Sequence, residues 1–333
     1  MKRIAVWGIG SIGASLAARI EQAGLAPTLI ARPAAAALIN EKGLENRTAG
    51  KSVIVRPRCV SDTREAGPQD LVLITVKAHS GPALMPQLAP LLDANTTVVS
   101  LVNGLPWWYF GPGEKSGAAQ GASGGAAHGP FEAVDPGGAQ WNAIGPARTL
   151  GAVVKHVAHM NAPNIVAEGG KGLFIFGELD GRISPRLEAV CEILNKAGYA
   201  SKASADIRND VWQKLLGNIS SGPVAALTRS SVSGCLSTPG LRSIGRRLLM
   251  ESKAVAEALG VVLDVDPEER LDEAARLGSH KPSMLQDVEA GRRLEVEAMV
   301  GAVTALGQRT GVPTPTVDDI LAMTRMLDQS LST

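Results

Sequence analysis

The chain opens by joining an apolar run, Ile4-Ala5-Val6-Trp7, to Gly8-Ile9-Gly10-Ser11-Ile12-Gly13, and a helical pattern follows from Ala14 to Ala23. Gly8 permits a tight turn at the end of a strand. Gly10 lets a phosphate approach the main chain. Gly13 lets the helix lie close to the strand. The helix start presents free N–H groups and the positive end of its dipole. Strand, glycine turn and helix in that order predict the first βα unit of a dinucleotide-binding sheet. Gly8, Ile9, Gly10, Ser11, Ile12 and Gly13 would line the pyrophosphate. A glycine-rich turn without a ligand is the plainer alternative.

The next strand says which dinucleotide. Residues 26–31 (APTLIA) are apolar and end at Arg32. NAD-binding units usually place an acid about 20 residues past the glycines, to hold the ribose 2′-OH. Residues 26–37 contain no acid. The guanidinium of Arg32 can instead hold a 2′-phosphate in a bidentate pair. The expected cofactor is NADP(H); a surface arginine closing a strand is the bland reading.

At 333 residues the chain has room for two domains. Its formal net charge of +1 offers no broad basic field to nucleic acid or an anionic membrane. No apolar run is long enough to span a bilayer. The N-terminus begins at once with a core strand, which leaves no room for a signal peptide. Cys59, Cys191 and Cys235 are scattered, lack metal spacing and suit a reducing cytoplasm. His156 and His159 have no ligand partners nearby in sequence, so no metal is expected.

Strands and helices alternate through the first half. A helix is predicted at 34–42, a strand at 52–55, a buried strand within 69–76 (QDLVLITV), a helix at 82–93 and a buried strand at 97–101. This βαβ order predicts a doubly wound parallel sheet. Residues 111–146 are rich in Gly, Ala and Pro and read as a long exposed loop, with a lid as the functional alternative. Strands at 149–160, 164–168 and 172–177 would extend the sheet at its far edge. A helix at 185–197 would be capped by Asp180 or Ser184. From Asp206 the periodicity is helical, at 206–227, 238–259, 267–277, 283–310 and 316–331. The expected fold is α/β: an N-terminal Rossmann-like domain of parallel sheet at 1–190, then an all-helical C-terminal domain at 191–333. Active sites of such pairs usually lie in the cleft between domains. A helical second domain can also dimerise, which makes a homodimer one expected assembly.

Two strand ends carry polar residues where a cofactor would sit. Lys77 follows LVLITV and could pair with a phosphate; Asn103 follows TVVSLV and could bond the nicotinamide region or the substrate. Trp107-Trp108-Tyr109-Phe110 holds four of the chain's eleven aromatic residues (5 Trp, 2 Tyr, 4 Phe). Pocket wall, subunit contact and plain core are equally open for it. Lys214 and Asn218 are four apart and share one helix face. Leu215, Leu216, Gly217 and Ile219 surround them, and desolvation in that setting favours proton release by Lys214. An exposed lysine on an amphipathic helix is the alternative. Ser283 starts the next candidate helix. Asp287 lies one turn in and Glu295 three turns on, inside a run (RRLEVE) that reads equally as a solvated face.

These motifs together resemble the ketopantoate reductases, over nearly the full length. The likeness rests on GIGSIG at 8–13, VKA at 76–78, NG at 103–104, W-x-K-x-x-x-N at 212–218, and SMLQD at 283–287 with Glu295 eight residues later. The resemblance implies NADPH-dependent reduction of 2-dehydropantoate to pantoate, within pantothenate and coenzyme A synthesis. It implies that Lys214 is the general acid and that Glu295 positions that lysine or the substrate hydroxyl. Asn103, Asn218 and Ser283 would hold the small 2-oxo acid or the nicotinamide ribose. Lys77 would line the cofactor site, and Arg32 would read the NADP phosphate. The family often carries a second asparagine four residues after Asn218; here the position is Gly222. A family member acting on another 2-oxo acid and a non-catalytic NADP sensor are the alternatives.

Overall fold

β1 (Ile4–Trp7) is buried along its whole length, as an apolar strand between two parallel neighbours must be. It starts the first of two compact units in a computed structural model that describes residues 1–48, 50–113 and 129–331. That unit comprises Met1–Val102, Gly111–Gly113 and Gly137–Ile207. After β1 come α1 (Ser11–Gln22), β2 (Thr28–Ile30), α2 (Pro33–Lys42), β3 (Leu44–Thr48), β4 (Lys51–Val55), β5 (Arg58–Val60), α3 (Thr63–Ala66), β6 (Leu71–Ile74), α4 (Gly81–Leu84) and β7 (Thr97–Ser100). The later part adds α5 (Ala139–Ile144), β8 (Thr149–Lys155), β9 (Ala158–Ala162), β10 (Ile165–Glu168), β11 (Leu173–Glu178), α6 (Pro185–Lys196) and β12 (Ala200–Ala203).

Eight strands form the main sheet, in the order β12-β11-β8-β7-β6-β1-β2-β5. Neighbours run parallel except β8 against β11. The α/β reading holds. Trp7 pairs in register with both Ile30 and Ile74, so β1, β2 and β6 end level with one another. Gly8, Arg32 and Lys77 therefore leave the sheet from the same carboxyl edge.

Several local expectations are corrected. Only β8, β11 and β12 extend the main sheet at its far edge. β9 and β10 leave it and join β3 and β4 in a second sheet, ordered β4-β3-β10-β9. The helix expected at 82–93 is α4 followed by two 3₁₀ turns, Met85–Gln87 and Ala89–Leu91. Pro82, Pro86 and Pro90 each remove a helix donor and break it up. The cap of α6 is Ser184, whose hydroxyl accepts from the Leu187 N–H. A boundary at 190 falls within α6; that helix and β12 complete the first unit, which runs to Ile207.

The second sheet packs on α1 through buried polar groups. Arg19 of α1 pairs with Glu168 of β10. Ser15 Oγ donates to Glu168 Oε1 at 2.7 Å and lies 2.9 Å from His156 Nε2 and 2.6 Å from the Tyr199 hydroxyl. A buried carboxylate needs such partners, because an uncompensated charge there is costly.

The second unit takes Asn103–Phe110, the described part of 114–136, and the chain from Arg208 onward. Its helices are α7 (Ile207–Thr228), α8 (Val232–Ser237), α9 (Pro239–Ala258), α10 (Pro267–Ala275), α11 (Ser283–Glu289), α12 (Ala302–Thr310) and α13 (Pro315–Ser330). The helix expected across 283–310 is broken. Gly291 adopts φ +62° and the Arg292 N–H bonds Asp287 O, a left-handed stop to α11. Helical structure resumes at Val296 and passes through a π-helical turn, Glu297–Gly301, into α12. The exposed loop expected at 111–146 is also corrected in part. Phe131, Val134 and Asp135 are buried and α5 follows. The lid reading covers 111–146, and residues 114–128 of that stretch lie outside the described residues. Among the described residues no helix is long and apolar enough to cross a membrane, and no cluster of His, Cys, Asp or Glu could hold a metal ion.

Candidate active site

In the first unit the glycine turn is held from below by Thr75, just past β6. Its hydroxyl donates to Gly8 O at 2.9 Å and to Trp7 O at 3.1 Å. The Gly8 N–H donates to Ile30 O at 3.0 Å. Thr75 was not among the residues singled out from sequence; a threonine ending a buried strand was the available signal.

The three glycines serve different purposes. Gly8 has φ +114°, and a Cβ there would lie 2.8 Å from Val76 Cγ1. A Cβ on Gly13 would run into Gly8 O and Thr75 Oγ1. Both positions are closed by packing. Gly10 differs: it is exposed, it forms the N-cap of α1, and the nearest atom to an added Cβ is Thr75 O at 3.9 Å. Nothing in the fold demands glycine there. The open space lies at the start of a 12-residue helix whose first N–H groups have no intrahelical acceptor. A pyrophosphate fits this donor set, and a side chain at 10 would crowd it. Ile9, Ser11 and Ile12 are half-buried beside it. Arg32 is exposed at the N-cap of α2, with no side-chain partner among the described residues. Lys77 is half-buried and caps the short turn Ala78–Ser80.

In the second unit three candidates from distant parts of the chain form one line. Lys214 Nζ donates to Asn103 Oδ1 at 2.6 Å. Asn103 Nδ2 donates to Glu295 Oε2 at 3.3 Å. One amide thus uses its acceptor on the cation and its donor on the carboxylate. Glu295 is only 6% exposed, whereas Lys214 is half-buried. The solvated-face reading of RRLEVE fails at its centre: Arg292 and Arg293 are exposed, but Leu294, Glu295 and Val296 are buried.

Each member of the line is fixed by its surroundings. Gly104 has φ +83°, and a Cβ there would collide with the Ala298 carbonyl. The Leu105 N–H donates to that carbonyl at 2.7 Å, which fastens the Asn103 loop to the π-helical turn after Glu295. Asp328 of α13 holds the stretch before Glu295, accepting from Arg293 Nε at 2.8 Å and from the Leu294 N–H at 2.7 Å. Sequence reading passed over Asp328 because an acid near the end of an amphipathic helix is ordinary. Lys214 rides on α7, which is anchored by the buried Trp212; its indole N–H donates to the Tyr109 hydroxyl at 2.8 Å.

That bond also decides the Trp107–Phe110 cluster. All four side chains are 2% exposed or less. Tyr109 packs edge-on against Phe110 with ring centres 5.3 Å apart, and Phe110 against Phe131 at 5.4 Å. The tetrapeptide is core of the second unit.

Asn218, one turn beyond Lys214, is half-buried and its amide has no hydrogen-bond partner among the described residues. Ser283 is exposed at the first position of α11, and no hydrogen bond joins it to the line. Gly222 lies one turn beyond Asn218, with Pro282 its nearest neighbour at the Cβ position.

An ammonium held by a neutral amide, itself bonded to a buried carboxylate, can deliver a proton to an oxygen as it becomes an alkoxide. Known proteins are similar to this chain over nearly its whole length. A family model described as "Ketopantoate reductase PanE/ApbA" matches residues 4–107, and its "C terminal" counterpart matches residues 206–328. A 2-dehydropantoate 2-reductase of Mesorhizobium japonicum is 38% identical over 98% of this chain and 97% of its own. The crystal structure of a candidate ketopantoate reductase from Ralstonia solanacearum MolK2 superposes with a TM-score of 0.91 at 32% identity, covering 99% of this chain and 98% of that one. A 2-dehydropantoate 2-reductase from Geobacter metallireducens GS-15 gives 0.82 at 25% identity, covering 98% and 99%. The matches span both units, and the chain belongs to the ketopantoate reductase family.

Proposed function

We propose that the protein is an NADPH-dependent 2-dehydropantoate 2-reductase that converts ketopantoate to pantoate, a step toward pantothenate and coenzyme A. The observation that carries this reading is the Lys214–Asn103–Glu295 line within a full-length family match. NADPH, when bound, supplies the hydride that adds to C2 of the 2-oxo acid. The chain's own residues then deal with oxygen and charge. Lys214 gives its proton to the C2 oxygen. Asn103 aims the ammonium and links it to Glu295. Asn218 and Ser283 offer polar groups without partners for the substrate's carboxylate and hydroxyl. Gly8, Ile9, Gly10, Ser11, Ile12 and Gly13 take the pyrophosphate; Arg32 takes the 2′-phosphate, and Lys77 lines the same site. An intact proton-delivery line disfavours a non-catalytic sensor.

The reading extends to a homodimer, supported by Met323 and Met326, which lie 47% and 66% exposed on α13; sedimentation velocity tests it. It extends also to the cytoplasm, supported by three free, buried cysteines.

The test is purified protein with ketopantoate and either NADPH or NADH. Pantoate should form with oxidation of NADPH, and kcat/KM should favour NADPH by about tenfold or more, as expected for a guanidinium that reads the 2′-phosphate. Absence of turnover with ketopantoate would refute the function. Equal rates with NADH would refute the role of Arg32.

A further inference from the structure

The buried stripe of α13 ends in a charge. Val317, Ile320, Leu321 and Thr324 are buried along one face of this amphipathic helix, and the next buried position on that face is Asp328, 7% exposed. An apolar residue would be the ordinary choice there, because a carboxylate taken out of water is costly unless it is paired and hydrogen-bonded. A charge that breaks the local pattern calls for a reason outside its own helix. Its partners supply one. Asp328 Oδ1 accepts from the Leu294 N–H at 2.7 Å, while Oδ2 accepts from Arg293 Nε at 2.8 Å and lies 2.7 Å from Nη2 of the same guanidinium.

Glu295 follows Leu294 directly. It sits in a stretch, 292–295, that belongs to neither helix nor strand. Such a stretch takes its position from ties to other elements, because no regular ladder holds its main chain. Leu294 is 2% exposed, so its N–H is largely withdrawn from water and depends on the Asp328 carboxylate. On the far side the Glu295 carbonyl accepts from the Met299 N–H at 3.3 Å. Two residues beyond Glu295, Glu297 pairs with Arg325 at 2.7 and 2.8 Å, and Arg325 lies three positions from Asp328, on the same side of α13. That pair is about half exposed and is the weaker tie. The helix is itself anchored at its start, where Glu251 of α9 accepts the Thr316 and Val317 N–H groups at 2.9 and 3.0 Å. One fixed helix therefore grips the chain just before and just after Glu295.

We propose that Asp328 is a positioning residue for the reduction: it sets where the Glu295 carboxylate stands and, through Asn103, how the Lys214 ammonium is aimed. This rests on the reductase reading above. Asp328 acts through the main chain of Leu294, so its loss displaces the proton-delivery line without changing which groups form it. A misplacement of about 1 Å, made far from the reacting atoms, can cost about 10²-fold in rate.

The experiment measures steady-state reduction of ketopantoate with NADPH by the wild type, Asp328→Ala, Asp328→Asn, Glu295→Ala and the double variant with alanine at both positions. Asp328→Ala should lower kcat by about 10- to 10²-fold, with KM for ketopantoate and the dissociation constant for NADPH within about threefold of the wild type. Asp328→Asn keeps an oxygen for the Leu294 N–H and should recover most of that loss, although it gives up the ion pair with Arg293. Without the Glu295 side chain little is left to position, so adding Asp328→Ala to Glu295→Ala should lower kcat by less than about threefold further. If Asp328→Ala does not fold, Asp328→Ser, whose hydroxyl is one bond shorter than the carboxylate, takes its place in the same comparison. An unchanged kcat with any loss confined to KM, no recovery in Asp328→Asn, or the same fold-loss with and without the Glu295 side chain overturns the proposal and leaves the reductase reading standing. Absence of ketopantoate turnover in the wild type overturns both.

Discussion

Asn103 and Lys214, 111 residues apart in sequence, meet at 2.6 Å. The contact settles where the loop after β7 belongs. Although it follows a strand of the first unit, Asn103–Phe110 is part of the second. The asparagine that sequence reading offered to the nicotinamide or the substrate is first a partner of Lys214. Replacing Asn103 with alanine removes both the acceptor for Lys214 and the donor to Glu295. We expect kcat for ketopantoate to fall by about 10²-fold, the low end of what misplacing a general acid costs. The dissociation constant for NADPH, measured by fluorescence titration, should change far less.

The glycine turn separates packing from ligand binding. Gly13→Ala should lower the thermal midpoint, because its Cβ runs into Gly8 O and Thr75 Oγ1. Gly10→Ala should keep folding stability within about 1 kcal/mol, the ordinary cost of alanine at an N-cap. NADPH binding should weaken in the same variant. Calorimetry and cofactor titration of the two proteins check this. Normal NADPH affinity in Gly10→Ala would remove Gly10 from the binding site.

Much of this arrangement was legible in the sequence, for identifiable reasons. The apolar runs of β1, β6 and β7 and the glycine turn carry strong local signals. Lys214 and Asn218 sit on α7, close to the helix that sequence reading set at 206–227. The misread parts depend on long-range pairing. β9 and β10 look like strands, but only their partners β3 and β4 say which sheet they enter. The segment 283–310 has one helical period throughout, and Gly291 alone marks the stop. Glu295 shares its neighbourhood with two exposed arginines, so its burial follows from Asp328 and α13, not from local composition. The aromatic tetrapeptide could not be placed until Trp212 was seen to bond Tyr109.

The buried cluster on α1 makes stability depend on pH. Burial pushes the His156 imidazole below its ordinary value, with Glu168 opposing and Arg19 adding to the effect. The ring faces Ser15, Tyr199, Glu168 and Arg19. A folded-state pKa below the unfolded one means that the unfolded chain binds more protons in the interval between them. The contribution is complete above about pH 6.5 and is lost as pH falls below it, with a slope of at most about 1.4 kcal/mol per pH unit. Urea denaturation at pH 7.5, 6.0 and 5.0 should show this decline, and His156→Gln should flatten it. An equal decline in both proteins would assign the pH dependence to other groups.

The central claim is that Lys214 delivers the proton while the glycine turn of the first unit binds NADPH. Lys214→Ala tests both halves in one protein, by turnover of ketopantoate and by titration with NADPH. The account predicts that kcat falls by about 10²–10⁴-fold, the usual contribution of a positioned general acid, while the dissociation constant for NADPH stays close to that of the wild type. Turnover by Lys214→Ala within a few-fold of the wild type would contradict it.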